Sequence, residues 1–385
     1  MTRIINILLL FTIIMAGSCR EPYWPELKDY EDLLVVDGLI TDNPGPYEVK
    51  LSYSTTVQNP YLVPFKGATV TIVDNEGFSE TLTETGEGVY TTDPAGIQGK
   101  VGQSYRVIIT TPGGTTYASP FQEIKPPVGI ADIYTEEQTI QTENDYYPLY
   151  GLQFYLDTEA APQDTNYLTW RIYGDYKYRV DYLIRFVYDR RQLTVFPNPD
   201  SLYVCYGHEK ITDIIAMKTD NLVEPRLSRL PLTFVNTETK KLSIRYSLLV
   251  KQLSLTQDAY HFYSDLAEMN TQEGALYNTQ PFQVRGNVEN LDDPDEIVLG
   301  YFLAAGMVEK RIFVDRPTNL PFRYGICELT ERDYDAYRYI GLTSSTEWPL
   351  YVTTNSDGYR ALPEQGCIDC RRMGGSIIKP DFWED

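Results

Sequence analysis

The chain has 385 residues, with 33 lysines and arginines against 54 aspartates and glutamates, so its formal net charge is −21. Such an acidic balance repels nucleic acid and anionic lipid surfaces. We therefore expect no nucleic-acid partner and no attachment to a membrane through a basic patch. The length favours two domains.

The N-terminal 19 residues have the pattern of a bacterial lipoprotein signal peptide. One cationic residue, Arg3, precedes an apolar run over residues 4–16, and two small residues follow directly before Cys19. The run is shorter than the roughly 20 apolar residues that span a bilayer, which disfavours an uncleaved anchor helix. We expect removal of residues 1–18 and lipid attachment at Cys19. Because Arg3 is lost, the mature chain would carry 32 basic and 54 acidic side chains, a formal charge of −22.

Residues 19–32 are predicted to form an extended lipidated tether. Pro22 and Pro25 interrupt any helix there. Glu21 resembles the acidic residues that follow the lipidated cysteine in surface-exported lipoproteins of the Bacteroidota. We expect an outer-membrane protein, anchored by lipid and facing the cell exterior, with a periplasm-facing protein as the alternative.

Four cysteines remain after Cys19, and an even number in an exported chain indicates two disulfides with three possible pairings. The candidates are Cys205, Cys327, Cys367 and Cys370. The last two have the CxxC spacing of redox centres and zinc sites. Turn residues on both sides and the lack of a second close pair favour disulfides instead. We expect at least one long-range bond from this pair to Cys205 or Cys327, because a bond within the pair needs a tight turn.

Residues 33–125 alternate short β patterns with turn signals. About seven strands in this stretch predict a β-sandwich of immunoglobulin-like or transthyretin-like type. In the first strand, over residues 33–41, Gly38 is predicted to form a bulge. Pro126 and Pro127 follow the last strand, so we predict a domain boundary near residue 126.

Residues 126–385 predict a larger β-rich domain with two packed helices and a disulfide-stapled C-terminal tail, so the fold class is mainly β. A polar, acidic stretch over residues 135–145 shows no strand pattern. Aromatic and β-branched runs indicate strands over residues 149–156, 167–173, 178–188, 241–253, 282–287, 297–305 and 311–314.

Two capping-box signatures mark the helices. Ser254 to Gln257 opens a helix that runs to Asn270, with apolar residues at helical spacing. Thr330 to Asp333 opens a second helix that ends before Gly341. The apolar stripes predict that both helices pack on a sheet.

No motif in the chain indicates catalysis. The two histidines, His208 and His261, do not stand in a zinc-protease motif, and nucleophile elbows, phosphate-binding loops and dinucleotide fingerprints are absent from the sequence. We expect no enzyme activity and no cofactor. An enzyme would have to depend on His208 or on one or two acidic residues.

Two compositional features raise the question of binding. Calcium prefers hard oxygen ligands, and Asp292 to Glu296 is the densest acidic cluster. Its spacing is not that of an EF-hand, which favours a solvated loop. The chain also has 32 tyrosines against 14 phenylalanines. Tyrosine suits half-exposed strands, and some of these rings are candidates for an amphipathic face that binds a glycan or protein.

Ten short blocks, spread over nearly the whole mature chain, carry a family resemblance. They are residues 34–41 (LVVDGLIT), 67–72 (GATVTI), 88–90 (GVY), 102–105 (GQSY), 205–206 (CY), 286–290 (GNVEN), 298–302 (VLGYF), 310–313 (KRIF), 367–371 (CIDCR) and 379–383 (KPDFW). In this order they resemble the Bacteroidota lipoproteins grouped as domain of unknown function 4249 (DUF4249).

The resemblance implies no catalytic residues, because the family has no assigned activity. It implies an outer-membrane lipoprotein associated with a TonB-dependent transporter. In that setting we expect a non-catalytic, surface-exposed accessory subunit that captures a glycan, peptide or protein cargo. The alternative is a freestanding surface adhesin or glycan-binding lipoprotein.

Overall fold

The computed structural model describes residues 32–55, 61–142, 147–160, 166–220, 224–272, 284–329 and 343–384. Within these ranges the chain forms several β-sheets and one α-helix, which confirms the mainly β fold class. The signal peptide, Cys19 and the second predicted helix lie outside the described residues.

The strands and the helix are numbered in chain order. The strands are β1 (Leu34–Thr41), β2 (Glu48–Tyr53), β3 (Val63–Pro64), β4 (Thr69–Asp74), β5 (Ser79–Thr81), β6 (Thr83–Gly86), β7 (Val89–Thr91), β8 (Ser104–Thr110), β9 (Thr116–Ala118), β10 (Gln122–Glu123), β11 (Ile130–Ile140), β12 (Leu149–Thr158), β13 (Tyr167–Arg179), β14 (Phe186–Asp189), β15 (Gln192–Val195), β16 (Val204–Ile211), β17 (Ala216–Lys218), β18 (Leu230–Asn236), β19 (Arg245–Leu255), β20 (Glu289–Asn290), β21 (Leu299–Asp315), β22 (Leu350–Thr354) and β23 (Arg360–Ala361). The helix is α1 (Gln257–Gln272).

The largest sheet has ten strands, with the central order β16-β13-β19-β21-β1-β2-β7-β6. β21 connects its two halves. Residues 299–305 of this strand pair in parallel with β1, whereas residues 306–315 pair antiparallel with β19. The two strands predicted over residues 297–305 and 311–314 are therefore one continuous strand of 17 residues.

A second sheet, β20-β9-β8-β4-β5 with β10 beside β8, shares a core with the first half of the large sheet. Leu51 of β2 and Ile72 of β4 are among its fully buried side chains. The same core takes Val288, Val298 and Phe302 from much later in the chain. The proposed boundary near residue 126 remains a prediction, but residues on both sides of it build this core.

The second half of the large sheet packs with a three-stranded sheet, β11-β12-β18. Trp170 on β13, Leu248 on β19 and Phe154 on β12 lie in their common core. The sequence pattern did not predict β11, because only Ile130 and Ile133 of its eleven residues are buried. Pairing with β12 along nearly its whole length forms the strand instead.

Helix α1 confirms the first helix prediction, but its cap differs from the predicted one. Ser254 lies inside β19, where its hydroxyl accepts a hydrogen bond from the Val128 amide at 3.1 Å. The Thr256 hydroxyl accepts from the Ala259 amide at 3.3 Å and is the N-cap. Both residues are good caps, and continued strand pairing through Leu255 selects the later one.

Gly38 does not form the predicted bulge. It pairs in unbroken register with Val49 on β2 and with Phe302 on β21. A Cβ atom at this position would lie 2.7 Å from Cδ2 of Phe302. Glycine is therefore required by the close approach of the Phe302 ring to a regular strand.

Two other strand predictions were wrong in position. The strand expected over residues 178–188 is divided between β13, which ends at Arg179, and β14, which begins at Phe186. Of the strand expected over residues 282–287, the described residues 284–287 are not in a strand, and the short β20 follows them. Both segments are rich in residues that favour strands, but the described residues 180–185 and 284–287 do not belong to a strand ladder.

Candidate binding clefts on the curved sheet

A cleft of about 290 Å³ lies between α1 and strands β1, β13 and β21. Its floor and walls are mostly apolar, with the rings of Phe262, Tyr263 and Tyr301 on one side. The Phe262 and Tyr301 ring centroids are 4.7 Å apart, so the helix is fixed against β21 by direct aromatic packing. The cleft is therefore bounded by a helix and a sheet that pack against each other.

Arg171 and Asp37 form an ion pair at the edge of this cleft. Nη2 of Arg171 lies 3.2 Å from Oδ1 of Asp37, and the side chains are 24% and 53% exposed. Asp37 is on β1 and Arg171 on β13, with β19 and β21 between them in the sheet. Through the strand pairings Arg171 is level with Glu309 of β21 and Asp37 with Tyr301, eight residues earlier, so the two halves of the sheet fold toward each other at this pair.

Tyr263 from α1 completes the cluster by hydrogen bonding to Arg171. Burial acts to lower the pKa of the Arg171 guanidinium, but the neighbouring Tyr263 and Asp37 outweigh it and the pKa is raised. Burial raises the pKa of the Tyr263 phenol, and the nearby Arg171 partly opposes this. At neutral pH Arg171 is therefore a cation and Tyr263 a neutral phenol.

A second cleft, of about 260 Å³, shares Asp37 and Arg171 with the first. Its lining includes Tyr173, Lys50 and Lys251. Nζ of Lys50 lies 3.2 Å from Oε2 of Glu48, and Nζ of Lys251 lies 3.4 Å from Oε2 of Glu309. This cleft is more polar than the first. Together the clefts form a groove with an aromatic end, a central ion pair and a charged end.

The sequence analysis did not single out either member of the ion pair. They lie 134 residues apart in the chain, so no local spacing connects them. One signal was present, because Asp37 is a charged residue inside the apolar strand Leu34–Thr41. Asp37 is exposed on that strand, however, so its charge alone does not require a partner.

His208, the residue on which an enzyme would have depended, belongs to a separate charged network. Its Nδ1 lies 2.6 Å from Oδ1 of Asp175, whose side chain is 5% exposed. Oδ2 of Asp175 accepts from Nη1 of Arg311 at 2.6 Å, and the same nitrogen donates to Ser247 at 2.8 Å. Both oxygens of Asp175 are thus occupied, and the network ties β13, β16, β19 and β21 together.

The four cysteines beyond Cys19 form the two disulfides that the sequence predicted. Cys205 is bonded to Cys370 and Cys327 to Cys367, with Cα separations of 5.8 and 6.0 Å. The CxxC pair is therefore split between two distant partners. Asp181 lies close to the sulfurs of Cys327 and Cys367. Because those sulfurs are in a disulfide, they offer no thiolate to a metal.

The acidic loop from Asp292 to Glu296 is held by hydrogen bonds within the protein. Glu296 accepts from the Tyr117 hydroxyl at 2.8 Å and from the Asn290 amide. Burial, followed by the bond to Glu296, raises the pKa of Tyr117 to about 12. Among the described residues, three acidic side chains do not converge on one point at this loop.

Among the described tyrosines, one group lies in the core and another lines the clefts, while others such as Tyr147 and Tyr359 are exposed. Tyr90, Tyr105 and Tyr246 are fully buried, with their hydroxyls hydrogen bonded. Tyr263 and Tyr301 line the aromatic cleft. Only the folded structure separates the two groups, because both stand in similar strand and helix contexts.

Comparison with known proteins identifies the family. A family model described as domain of unknown function (DUF4249) matches residues 20–311. The chain belongs to the DUF4249 family. Both clefts of this DUF4249 protein lie inside the matched region, whereas three of its four disulfide cysteines follow it.

The family resemblance noted in the sequence is thereby confirmed, and the lipid anchor and outer-membrane location remain predictions. No curated protein matches the chain. Over the described ranges, none of the helical segments combines the length and the apolar character needed to cross a bilayer.

Proposed function

We propose that this DUF4249 protein is a non-catalytic lipoprotein of the outer membrane that faces the cell exterior and captures cargo for a TonB-dependent transporter. The observation that carries the proposal is the groove formed by the two clefts, which meet at Asp37 and Arg171. Predicted lipid attachment at Cys19 would hold this groove at the membrane, where a transporter could receive the cargo.

The chemistry of the groove favours an amphipathic, extended cargo such as a peptide or a glycan. Aromatic rings at one end offer flat apolar surfaces. Lys50 and Lys251 at the other end offer charged hydrogen-bond donors. A ligand that spans both ends would cross the Asp37–Arg171 pair, which presents a donor and an acceptor side by side.

We also propose that residues 33–125 form the core of an immunoglobulin-like or transthyretin-like sandwich. The common core of the large sheet and the second sheet supports this assignment. The later residues that enter this core, from β21 and the segment before it, would then complete the sandwich.

Affinity purification of the tagged protein from gently solubilised outer membranes of its host tests the proposal. We expect a TonB-dependent barrel in stoichiometric amount by mass spectrometry, and acylated Cys19 in the same sample. Recovery of the intact lipoprotein alone in several detergents would contradict the transporter role and favour the adhesin or glycan-binding alternative. An untagged strain provides the background.

The role of the groove is tested on material that co-purifies with the complex. Arg171→Gln should reduce the peptide or glycan recovered with the protein, because it removes the charge at the centre of the groove. Lys66→Gln is the matched control, since Lys66 is an exposed cation that pairs with Glu87 and lies outside both clefts. Equal loss in both variants would argue against cargo binding in the groove.

A further inference from the structure

We propose that Tyr61, Leu62 and Val63, here called the apolar loop, contact the lipid bilayer directly beside the lipid anchor. The inference rests on the proposed function, since it takes the protein to be attached to the outer membrane through Cys19. It adds a second, non-covalent membrane contact made by the folded body itself.

The apolar loop is unusually exposed for its composition. Tyr61 and Leu62 are each 76% exposed and Val63 is 44% exposed, in one consecutive run. Single exposed apolar residues are common, but consecutive large ones indicate a contact surface. Tyrosine beside aliphatic residues is also the composition that favours the boundary between lipid and water.

The loop lies at the end of the molecule where the tether joins the body. Leu34 of β1 pairs with Tyr53 of β2, and Tyr53 pairs with Val63 of β3. Val63 is therefore two strand spacings, about 10 Å, from the first residues of β1. Only 12 residues stand between Cys19 and Asp32, so the contour length from one to the other is at most about 45 Å. The anchor would thus keep this end of the body near the bilayer.

The other conspicuous apolar pair lies at the opposite end of β21. Ile377 and Ile378 are 46% and 76% exposed, and the neighbouring Ser376 bridges to Tyr206 on β16. This position is level with the C-terminal end of β21, whereas β1 begins beside its N-terminal end. Lys177, which pairs with Tyr206, lies six residues along β13 from Arg171, so the tail is about 20 Å beyond the Asp37–Arg171 pair, whereas Val63 is about 10 Å from the start of β1. Position along β21 therefore selects the apolar loop.

Charge at this end indicates what kind of lipid contact forms. A further cleft at this end is lined by Pro64, Lys66 and Glu296, and Lys66 is paired with Glu87. Among the described residues that line it, Lys66 is the one cation and stands against the carboxylates of Asp32 and Glu296, so positive charge is not in excess there. The contact is therefore apolar insertion into the interfacial region, and it should be insensitive to salt.

An environment-sensitive dye on the lipidated mature protein tests the contact. The chain has five cysteines, of which four are in disulfides and Cys19 would carry the lipid, so an introduced thiol is labelled uniquely. Leu62→Cys carries the dye, and Val195→Cys is the matched control because Val195 is 73% exposed on β15. In phosphatidylcholine vesicles with brominated acyl chains, we expect a blue shift and quenching at position 62 only. The same response at both positions would overturn the proposal.

A second measurement uses the protein without its lipid anchor. A failure of the membrane contact can then be distinguished from a failure of the proposed function. The full mature chain with Cys19→Ser should bind neutral vesicles weakly, and Leu62→Asp should lower that affinity about tenfold. Val195→Asp should leave it unchanged, as should added salt. Unchanged binding by Leu62→Asp would overturn the membrane contact. If Leu62→Asp instead lost the co-purified barrel but kept its vesicle binding, the loop would be a protein contact and the proposal would also be overturned. An unmodified Cys19 by mass spectrometry would instead refute the lipoprotein proposal, and the vesicle measurement would then decide the membrane contact by itself.

Discussion

The ion pair between Asp37 and Arg171 connects two strands that are not neighbours in the sheet. Its neighbour Tyr263 reaches it from a helix, so three separate elements meet at one partly buried point. Such a contact contributes to the curvature of the sheet as well as to the groove. Its energetic contribution can be measured against an exposed pair of the same chain.

We expect a double-mutant cycle on Asp37→Asn and Arg171→Gln to give a coupling of about 1 kcal/mol in the free energy of unfolding. The Arg171 side chain is 24% exposed, so solvent screens the pair only in part. The Lys66 and Glu87 side chains are 53% and 74% exposed, and the same cycle there should give a coupling near zero. Denaturant unfolding measures both, and equal couplings would contradict the structural role of the pair.

The raised pKa of Tyr117 predicts how the free energy of unfolding changes with pH. Burial and the hydrogen bond to Glu296 raise its pKa from 10.0 to about 12, so the folded state favours the neutral phenol. This stabilisation is complete below pH 10 and is lost as the pH rises from 10 through about 12. Tyr117→Phe should be less stable than the wild type below pH 10, and the difference should shrink above it. A difference in unfolding free energy that does not change with pH would contradict the assignment.

The close packing at Gly38 predicts that a larger residue there destabilises the protein. Gly38→Ala should cost about 1–3 kcal/mol of unfolding free energy, because the new methyl group meets the Phe302 ring at 2.7 Å. Gly325→Ala is the control, since a Cβ there meets nothing within 4 Å. The added substitution Phe302→Leu should recover part of the loss at Gly38. An equal effect of the two alanines would argue against the clash.

At the scale of elements, local pattern predicts a strand well when one face is buried. β8, Ser104–Thr110, alternates between buried and half-buried residues along its whole length. β11 carries little of this pattern and is held by pairing with β12. The cap of α1 follows the same logic, because pairing of β19 decides where the strand stops and the helix starts.

The two disulfides hold the C-terminal tail to different elements. Removing the Cys205–Cys370 bond should cost about 5 kcal/mol and removing Cys327–Cys367 about 4 kcal/mol, since the bonds close loops of 165 and 40 residues. Replacing both cysteines of one bond by alanine, and then measuring denaturant unfolding, tests which bond contributes more to the free energy of unfolding. Limited proteolysis should show cleavage near the tail first. A larger loss for the shorter loop would contradict the chain-entropy argument.

At the scale of the whole molecule, the first core depends on residues from the second half of the chain. A fragment of residues 33–125 would lack Phe302, Val298 and the strand that pairs with β1. We expect this fragment not to fold, because it exposes the edge of β1 and leaves its core unfilled.

Joining residues 284–306 to that fragment through a flexible linker should restore folding, as measured by circular dichroism and a cooperative thermal transition. The same fusion with Phe302→Ala is the matched control and should be less stable by about 3–5 kcal/mol. Independent folding of the unextended fragment would favour a domain boundary near residue 126.

The sequence by itself determined the mainly β class, many strand positions, the first helix, the number of disulfides and the family. The strands and the helix follow from local periodicity within short windows, the disulfides from the cysteine count, and the family from the order of short blocks along the chain. Tertiary structure alone decided that Asp37 meets Arg171, that Gly38 lies under Phe302, and which cysteines pair. These contacts join residues that are far apart in the chain, by 134 positions for the ion pair and by 165 and 40 for the two disulfides. Their formation depends on strand order and sheet curvature, which arise from the competition among all possible pairings and not from any one segment.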